Sequence, residues 1–464
     1  MRSWEVALGP WRKPYGKYAT VPLPTVGTPV LYSTGIPVPE FPEFGPHSNK
    51  ENGYGVLEFP NFENSIGGWD VKAGERQEQT DRRYHPLLLW GVVFILIITF
   101  CSIAMEAMVR LIAPQNLSGT WLERKGGGLL VNRADDSVRH QFGPRVVTYN
   151  LGSFGLRDAV LDSIGKKVLV VGDSFTFGWL LEDKHTYVHH LQEMADSKYG
   201  SGKIRFLNGG IGGSGTDSQL RFIEMFGDDI KPDAVVVYLN MDDIGRSIRN
   251  KIYAFDGMNE TSLTVLPVTI STYEKLKGML NDLPFYSQTL QWILERSHLV
   301  QLIRNILSRF NRNTVDWNLE RTIPDPKLSS SETASSANVL RADSVQLGKA
   351  LFLRLKNWTD QRGIALLVLT TGFFNPNGIK DDPTYYFTNQ CHEFFRQENI
   401  AFGDLYPHVL GTMAAGGLEV MAEREKSLII HNEVHPNEEG AKAVSRASWP
   451  YIKRLLAVLV PADG

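Results

Sequence analysis

The sequence predicts an α/β fold in which a mostly parallel sheet carries helices on both faces. From about residue 145, short apolar stretches of strand length, such as VLVV and AVVVYL, alternate with longer stretches of helical periodicity. Strands that are joined through helices run parallel, with right-handed crossovers. We therefore expect functional side chains at the carboxyl ends of these strands.

The alternation defines the elements in chain order. The predicted strands are 168–171, 204–208, 234–239, 365–370 and 400–404. The predicted helices are about 186–195, 217–227, 338–362, 384–398 and 439–459. Between about 245 and 340 the alternation stops, which indicates a helical insertion with a helix at 286–310 and a flexible linker that contains SSSETASS.

A transmembrane helix is predicted at residues 86–105. Its centre, LLLWGVVFILIITFCSIA at 87–104, is uncharged and reaches about 27 Å as a helix, near the thickness of a bilayer core. No cleavage pattern follows it, so we expect it to be retained. Lys72, Arg76, Arg82 and Arg83 precede the helix and only Arg110 follows closely, which predicts a cytoplasmic N-terminus and a periplasmic C-terminal domain on the plasma (inner) membrane.

Residues 1–85 form a predicted extended tail with ten prolines, ten glycines and twelve aromatic residues. Dense proline prevents long helices and central strands. An ordinary disordered tail is poor in aromatics, so this segment is predicted to bind along a partner in a membrane protein complex. The alternatives are a loosely ordered linker and a misassigned start codon. Residues 106–144 are predicted to be a juxtamembrane connector.

Composition excludes several classes of function. The 48 basic and 51 acidic residues nearly cancel, which gives no reason to expect a nucleic-acid partner. Two cysteines exclude a disulfide framework and a metal site built on paired cysteines. We predict no cofactor and no metal site.

One serine and one histidine are candidates for nucleophilic chemistry. Ser174 follows a predicted strand in KVLVVGDSFTFG, where it is either a nucleophile or a hydroxyl at a strand-to-helix turn. A serine nucleophile needs a base, and His435 in the loop HNEVHPNEEG is the candidate. Donors for an oxyanion are expected from the backbone of Gly213 and from the Asn240 side chain, each just after a predicted strand.

A different interpretation treats Gly210, Gly212 and Gly215 as a dinucleotide-binding fingerprint. These glycines follow the second strand rather than the first. No acidic residue falls cleanly at a strand end about 20 residues later, so the pattern is weak.

The order of four motifs in this chain resembles the SGNH/GDSL hydrolase superfamily. The motifs are GDS, N-x-G-x-x-G, a later strand followed by asparagine, and a final HPN. GSFGLRD at 152–158 adds to the resemblance, which covers a domain at 145–464 that contains the insertion. It implies a flavodoxin-like three-layer α/β/α sandwich and an activity among esterases, lipases, thioesterases and carbohydrate acetylesterases. It also implies that Ser174 is the nucleophile, that the N–H groups of Ser174 and Gly213 bind the oxyanion, and that His435 is the base.

Two positions depart from the family pattern. The Gly-x-Asn-Asp block looks like Leu239-Asn240-Met241-Asp242, so Asn240 replaces the oxyanion asparagine only if the loop shifts by one residue. The positions three and two residues before His435 hold Asn432 and Glu433 instead of the usual aspartate. Glu433 is favoured over Asn432, because a carboxylate stabilises an imidazolium.

Two functions follow as predictions. The first is a membrane-anchored serine ester hydrolase, or an acyl or acetyl transferase, that acts on a small ester group of a lipid or an envelope glycan. The alternative is a catalytically degenerate domain that serves as a structural or assembly subunit of a membrane complex through its tail and transmembrane helix.

Overall fold

The computed structural model describes residues 86–460 except 126–128, 159–164, 257–258, 267–278, 280–282, 320–329, 374–385, 412–416 and 432. The tail at 1–85 lies outside the described residues, so its extended conformation and its partner stay predictions.

Helices and strands alternate through most of the described chain. The helices are α1 (Pro86–Ile112), α2 (Ser174–Phe177), α3 (Tyr187–Tyr199), α4 (Thr216–Ile230), α5 (Asp243–Asn250), α6 (Pro284–Leu294), α7 (His298–Leu319), α8 (Ser330–Asp360), α9 (Tyr386–Gln397), α10 (Tyr406–Val409), α11 (Gly417–Leu428) and α12 (Glu438–Leu459). The strands are β1 (Leu117–Ser118), β2 (Leu122–Lys125), β3 (Leu129–Asn132), β4 (Asp136–Phe142), β5 (Arg145–Leu151), β6 (Lys166–Gly172), β7 (Ile204–Gly210), β8 (Ala234–Leu239), β9 (Tyr253–Asp256), β10 (Asn259–Val265), β11 (Ala365–Thr370) and β12 (Ala401–Gly403).

The central sheet has five strands in the order β12-β11-β8-β6-β7, and every neighbouring pair is parallel. Numbered along the chain, these five strands have the order 2-1-3-4-5 of the flavodoxin-like fold. The five predicted strands are these five, and the predicted fold class is confirmed.

Each face of the central sheet is covered by helices. In β6 the side chains of Val168 and Val170 join a buried cluster with α3 and α12, whereas Leu169 and Val171 join a cluster with α4, α8 and α9. Alternate residues of a strand point to opposite faces, so the two clusters are the two sides of one sheet. The result is a three-layer α/β/α sandwich.

Residues 106–144, predicted as a connector, instead form the end of α1 and four strands. β1, β4 and β5 make an antiparallel sheet, and β2 pairs with β3 as a hairpin. Leu129 and Val131 are buried in the principal core. These strands are short and partly polar, so their hydrophobic pattern is too brief to predict them from the sequence.

The insertion after α5 differs from the prediction in two ways. The helix predicted at 286–310 is divided into α6 and α7, which are separated at residues 295–297, and the antiparallel hairpin β9–β10 precedes them. Helix α8 begins at Ser330, so most of the predicted polar linker SSSETASS is helical.

Helix α1 is longer than the predicted 86–105. Its most apolar part, Leu88–Ile112, has 25 residues, and an 18-residue window within it has a mean hydropathy of 2.6 and no buried share. At 1.5 Å per residue this length is about 37 Å, more than the roughly 30 Å of a bilayer core. The helix therefore fits a single-pass membrane anchor.

Candidate active site

Ser174 occupies a sharp turn between β6 and α2. Asp173 caps the short helix, because its carboxylate accepts the N–H of Phe175 at 2.9 Å. Gly172 leaves no room for a side chain, since an added Cβ would lie 2.0 Å from Thr176 Oγ1. This close packing presents Ser174 at the carboxyl end of the central sheet, as the sequence predicts.

His435 lies in a loop between α11 and α12 that is closed by backbone hydrogen bonds. Ile430 N–H donates to the carbonyl of His435 at 2.8 Å, and Glu433 N–H donates to the carbonyl of Ile430 at 2.9 Å. Asn437 caps α12 by accepting the N–H of Gly440 at 2.9 Å, and its amide donates to Ile429 O at 3.0 Å. The imidazole is therefore carried by a stiff loop.

The structure brings Ser174, His435 and Glu433 into one hydrogen-bonded chain. Ser174 Oγ lies 2.8 Å from His435 Nε2, and His435 Nδ1 lies 3.0 Å from Glu433 Oε2. With the ring proton on Nδ1, the histidine donates to the carboxylate and accepts from the serine hydroxyl. The other candidate acid, Asn432, lies outside the described residues.

Glu433 is held as a carboxylate. Burial opposes its ionisation, but the hydrogen bond from His435 and the charge of the imidazole lower the pKa of Glu433 below its usual value. A charged Glu433 favours the protonated imidazole that forms when the serine gives up its proton.

Two backbone N–H groups in adjacent loops at this end of the sheet have no acceptor among the described residues. The loop after β7 is tied to the nucleophile turn because Ile211 N–H and Ser214 Oγ both donate to Gly172 O, at 3.0 and 3.1 Å. In that loop Gly213 has a φ of +75°, with open space where a side chain would be. Within the described part of the chain, neither Ser174 N–H nor Gly213 N–H has a hydrogen-bond acceptor, so both are available to an oxyanion.

Asn240 makes a contact that the sequence does not predict. Its side-chain amide donates to Asp173 Oδ2 at 2.9 Å, and its backbone N–H donates to Asp243 Oδ2 at 3.0 Å. An amide nitrogen has two hydrogens, so one N–H of Asn240 is left for an oxyanion donor role. Met241, at the position of the family asparagine in an ungapped comparison, is buried.

A buried charge cluster supports the nucleophile turn. Arg246 Nη1 lies 2.7 Å from Asp173 Oδ2 and 3.4 Å from Asp243 Oδ1, and both carboxylates are fully buried. Burial opposes the charge of Arg246, but the two aspartates raise its pKa above the usual value. Because this guanidinium compensates the carboxylate of Asp173, the residue next to Ser174 carries no unpaired negative charge. Arg246 could not be predicted from the sequence, since only the fold brings it to Asp173.

Aromatic rings surround the histidine. Trp179 stacks on His435 with ring centroids 5.5 Å apart, and Phe175 lies 5.3 Å from it on a tilted plane. Phe373, which follows β11, lies 5.9 Å from Phe175. These rings give the site apolar walls.

A second histidine lies behind this wall. His140 of β4 is buried, its Nδ1 lies 2.8 Å from the hydroxyl of Tyr149, and its ring lies 4.8 Å from that of Trp179. Burial lowers the pKa of His140 to about 4, against a smaller opposite effect of Glu433. His140 is therefore neutral near pH 7. It could not be predicted from the sequence, because it lies in the segment expected to be a connector.

Close packing accounts for two glycines of the G-x-G-x-x-G pattern. A Cβ on Gly210 would lie 2.1 Å from Phe177 N, and one on Gly215 would lie 2.5 Å from Asp243 O.

Among the residues that the structure describes, no group of three or more histidine, cysteine, aspartate or glutamate side chains is arranged to hold a metal ion.

Comparisons by sequence find no relatives, whereas comparisons of structures find esterases. No protein-family model matches the chain, and no curated protein sequence matches it. Similar solved structures include the psychrotrophic esterase EstA from Pseudoalteromonas sp., with 12% identity, a TM-score of 0.33 and coverage of 63% of this chain and 98% of that chain. A putative G-D-S-L lipolytic protein from Desulfitobacterium hafniense has 13% identity, a TM-score of 0.30 and coverage of 61% and 98%.

A third similar structure is a catalytic mutant of Axe2, an acetylxylan esterase from Geobacillus stearothermophilus, with 16% identity, a TM-score of 0.32 and coverage of 63% and 95%. Within this chain, the strand order of the central sheet and the place of Ser174 at its carboxyl edge agree with the flavodoxin-like sandwich that the sequence resemblance implies.

Proposed function

We propose that the chain is a membrane-anchored serine hydrolase that cleaves an ester or transfers its acyl group. The proposal rests on one observation, the continuous hydrogen-bonded chain from Ser174 Oγ through His435 to Glu433. A hydroxyl, a base and an orienting carboxylate in this order are what nucleophilic acyl transfer requires.

The reaction starts with attack of Ser174 Oγ on the ester carbonyl carbon while His435 Nε2 takes the hydroxyl proton. The negative charge on the carbonyl oxygen is stabilised by the N–H groups of Ser174 and Gly213 and by the second N–H of Asn240. Collapse of this intermediate breaks the bond to the alcohol, which leaves with the proton from His435. Water, or a second hydroxyl, then attacks the acyl-enzyme by the same steps in reverse, and Ser174 regains its proton.

The substrate class that we propose is an ester on a lipid or an envelope glycan. The rings of Phe175 and Trp179 beside His435 favour an apolar acyl chain or the flat face of a sugar. Helix α1 supports a site at a membrane. The basic residues before α1 favour an N-terminus in the cytoplasm and a domain outside the inner membrane.

The alternative prediction, a degenerate subunit of a membrane complex, is less well supported. Its basis is that the acid and the oxyanion asparagine of the family pattern are replaced in this chain. In the structure, however, Glu433 contacts His435, and the Asn240 side chain keeps one N–H that is not used by Asp173. Its remaining support is the tail at 1–85, which lies outside the described residues.

Labelling with a fluorophosphonate probe tests the proposal on the full chain in detergent. We expect the wild type to be labelled, and both Ser174→Ala and His435→Ala to lose the label. The control is His185→Ala, because His185 is a partly exposed histidine that pairs with Glu438 on the surface and should leave labelling unchanged. A folded wild-type sample without label, or equal labelling of Ser174→Ala, would refute the proposal.

A further inference from the structure

We propose that helices α6 and α7 lie on the surface of the lipid bilayer beside the end of α1, with their apolar side chains in the headgroup region. The inference rests on the membrane anchoring proposed above and goes beyond it, because it assigns the insertion to the membrane surface and names lipid as its partner.

Several large apolar side chains on and next to α6 and α7 are exposed. They are between 44% and 84% exposed: Leu283, Phe285, Trp292, Ile303, Ile306 and Leu307. Six large apolar side chains exposed along two consecutive helices point to an interaction site, whereas single exposed apolar residues are ordinary on a protein surface.

The polar side of the same helices faces the protein body. In α7, Gln301 Nε2 and Arg304 Nη1 donate to Ser118 O at 2.7 and 3.1 Å. In α6, Gln291 Oε1 accepts the N–H of Thr120 at 2.9 Å. A helix on a protein surface in water normally turns its apolar face to the core. Here Leu294 of α6 is buried and Arg304 of α7 is exposed, so the two faces are mixed. The large apolar side chains that remain on the outside nevertheless suit a non-aqueous environment better than water.

The turn between the two helices is fixed to the end of α1. Glu106 Oε2 accepts from Ser297 Oγ and Leu299 N–H, both at 2.8 Å, and Glu106 Oε1 accepts from His298 N–H at 3.0 Å. Arg110 Nη2 donates to Arg296 O at 2.7 Å. Glu106 lies about two turns before the end of α1, so this turn sits at the level where α1 meets the bilayer surface.

The charge of the segment suits phospholipid headgroups. Residues 283–312 contain four arginines and one glutamate. The guanidinium of Arg296 lies 5.3 Å from the ring centroid of Trp292. Tryptophan beside arginine is typical of the membrane–water interface, and basic residues attract anionic lipids. The lipid surface is therefore a better match for this face than a second polar protein.

With α6 and α7 on the membrane surface, the antiparallel sheet lies between the lipid and the active site. Arg139 N–H of β4 donates to Glu295 Oε1 at 3.0 Å, next to α6. The neighbouring His140 points to the other face of β4, where its ring lies against Trp179 of the aromatic wall. One antiparallel sheet thus separates the lipid-facing helices from the wall around His435.

Fluorescence quenching in nanodiscs tests the inference. The full chain carries Cys101→Ala and Cys391→Ala, and one environment-sensitive NBD label is attached at Leu307→Cys or Phe285→Cys. The nanodiscs contain phosphatidylethanolamine and phosphatidylglycerol, with a nitroxide on the acyl chain near the headgroup. Matched controls are Phe94→Cys in α1 and Glu193→Cys, an exposed position on α3. A thermal midpoint equal to that of the unlabelled parent shows that each variant is folded.

We expect the labels at 307 and 285 to shift to shorter wavelength and to be quenched by the lipid nitroxide, whereas the label at 193 is quenched only by aqueous iodide. Labels at 307 and 285 that behave like the label at 193 would overturn the inference. Protection from both quenchers would also overturn it, since a protein then covers the face. If the label at 94 also escapes the nitroxide, the anchoring itself fails, whereas fluorophosphonate labelling reports on the proposed chemistry separately.

Discussion

The indole of Trp179 stacks on the imidazole of His435, with ring centroids 5.5 Å apart and planes 30° apart. Trp179 in turn contacts Trp121 and His140. The face of the imidazole that stacks on Trp179 is therefore supported by a packed group of aromatic rings. The position of His435 therefore depends on the antiparallel sheet as well as on its own loop.

Replacing Trp179 tests this support. Trp179→Ala removes one wall of the imidazole, and a catalytic group misplaced by about 1 Å costs about 10²-fold in rate. Trp179→Phe should keep most of the activity, because the indole N–H has no hydrogen-bond partner among the described residues. The measurement is kcat for a p-nitrophenyl ester, with the thermal midpoint recorded alongside. Equal activity of the two variants would contradict a supporting role.

Glu433 is expected to be the acid that orients His435. Glu433→Gln removes the charge that stabilises the imidazolium, and a change of this kind lowers kcat by about 10³–10⁴-fold. Asn432→Ala should leave kcat within a few-fold of the wild type, because Glu433 already occupies His435 Nδ1. The two variants are compared by steady-state hydrolysis. A larger loss in Asn432→Ala than in Glu433→Gln would reverse the assignment.

Two neighbouring glycines separate an oxyanion effect from a simple steric effect. Both Gly212 and Gly213 have open space at the position of a Cβ, but only Gly213 has a positive φ, +75°. Gly213→Ala forces a strained conformation or moves the N–H, and loss of one oxyanion donor costs about 10²–10³-fold in rate. Gly212→Ala is the matched control and should stay near wild type. If the two alanines slow ester hydrolysis equally, Gly213 N–H is not an oxyanion donor.

His140 predicts a pH-dependent stability. Its pKa is about 4 in the folded chain against an ordinary value of 6.5, so the unfolded chain binds a proton first as the pH falls. The stabilisation is complete above about pH 6.5 and is lost toward pH 4. Between about pH 7 and pH 5 the loss is about 2 kcal/mol.

The pH series is measured as the free energy of unfolding of the full chain in detergent. His140→Phe should remove this part of the pH dependence, whereas His392→Phe, at an exposed position of α9, should retain it. The same decline in both variants would show that His140 is not its source.

The repeating elements could be predicted from the sequence, because strands such as β8 are continuous apolar runs and the helices between them have clear periodicity. The short strands of residues 117–142 could not, since two to seven residues with mixed polarity give no distinct period. Their formation depends on pairing and on burial of residues such as Leu129 and Val131.

The site shows the same division. Ser174, Gly213 and His435 stand out because each interrupts or follows an element in a characteristic way. Arg246 and His140 do not, because an arginine in a helix and a lone histidine are ordinary in a sequence. Only the fold shows that the first compensates the charge of Asp173 and that the second packs on Trp179.

The strands that follow α1 determine where a soluble version of this protein can begin. A fragment that starts at residue 145 would lack Leu129 and Val131. The buried side chains that pack against them would then be exposed to solvent. It would also lose Trp121 and Val138, which pack against Phe177 behind the nucleophile turn. Expression trials that aim to remove the anchor should therefore cut close to Ala113 and keep the first strand.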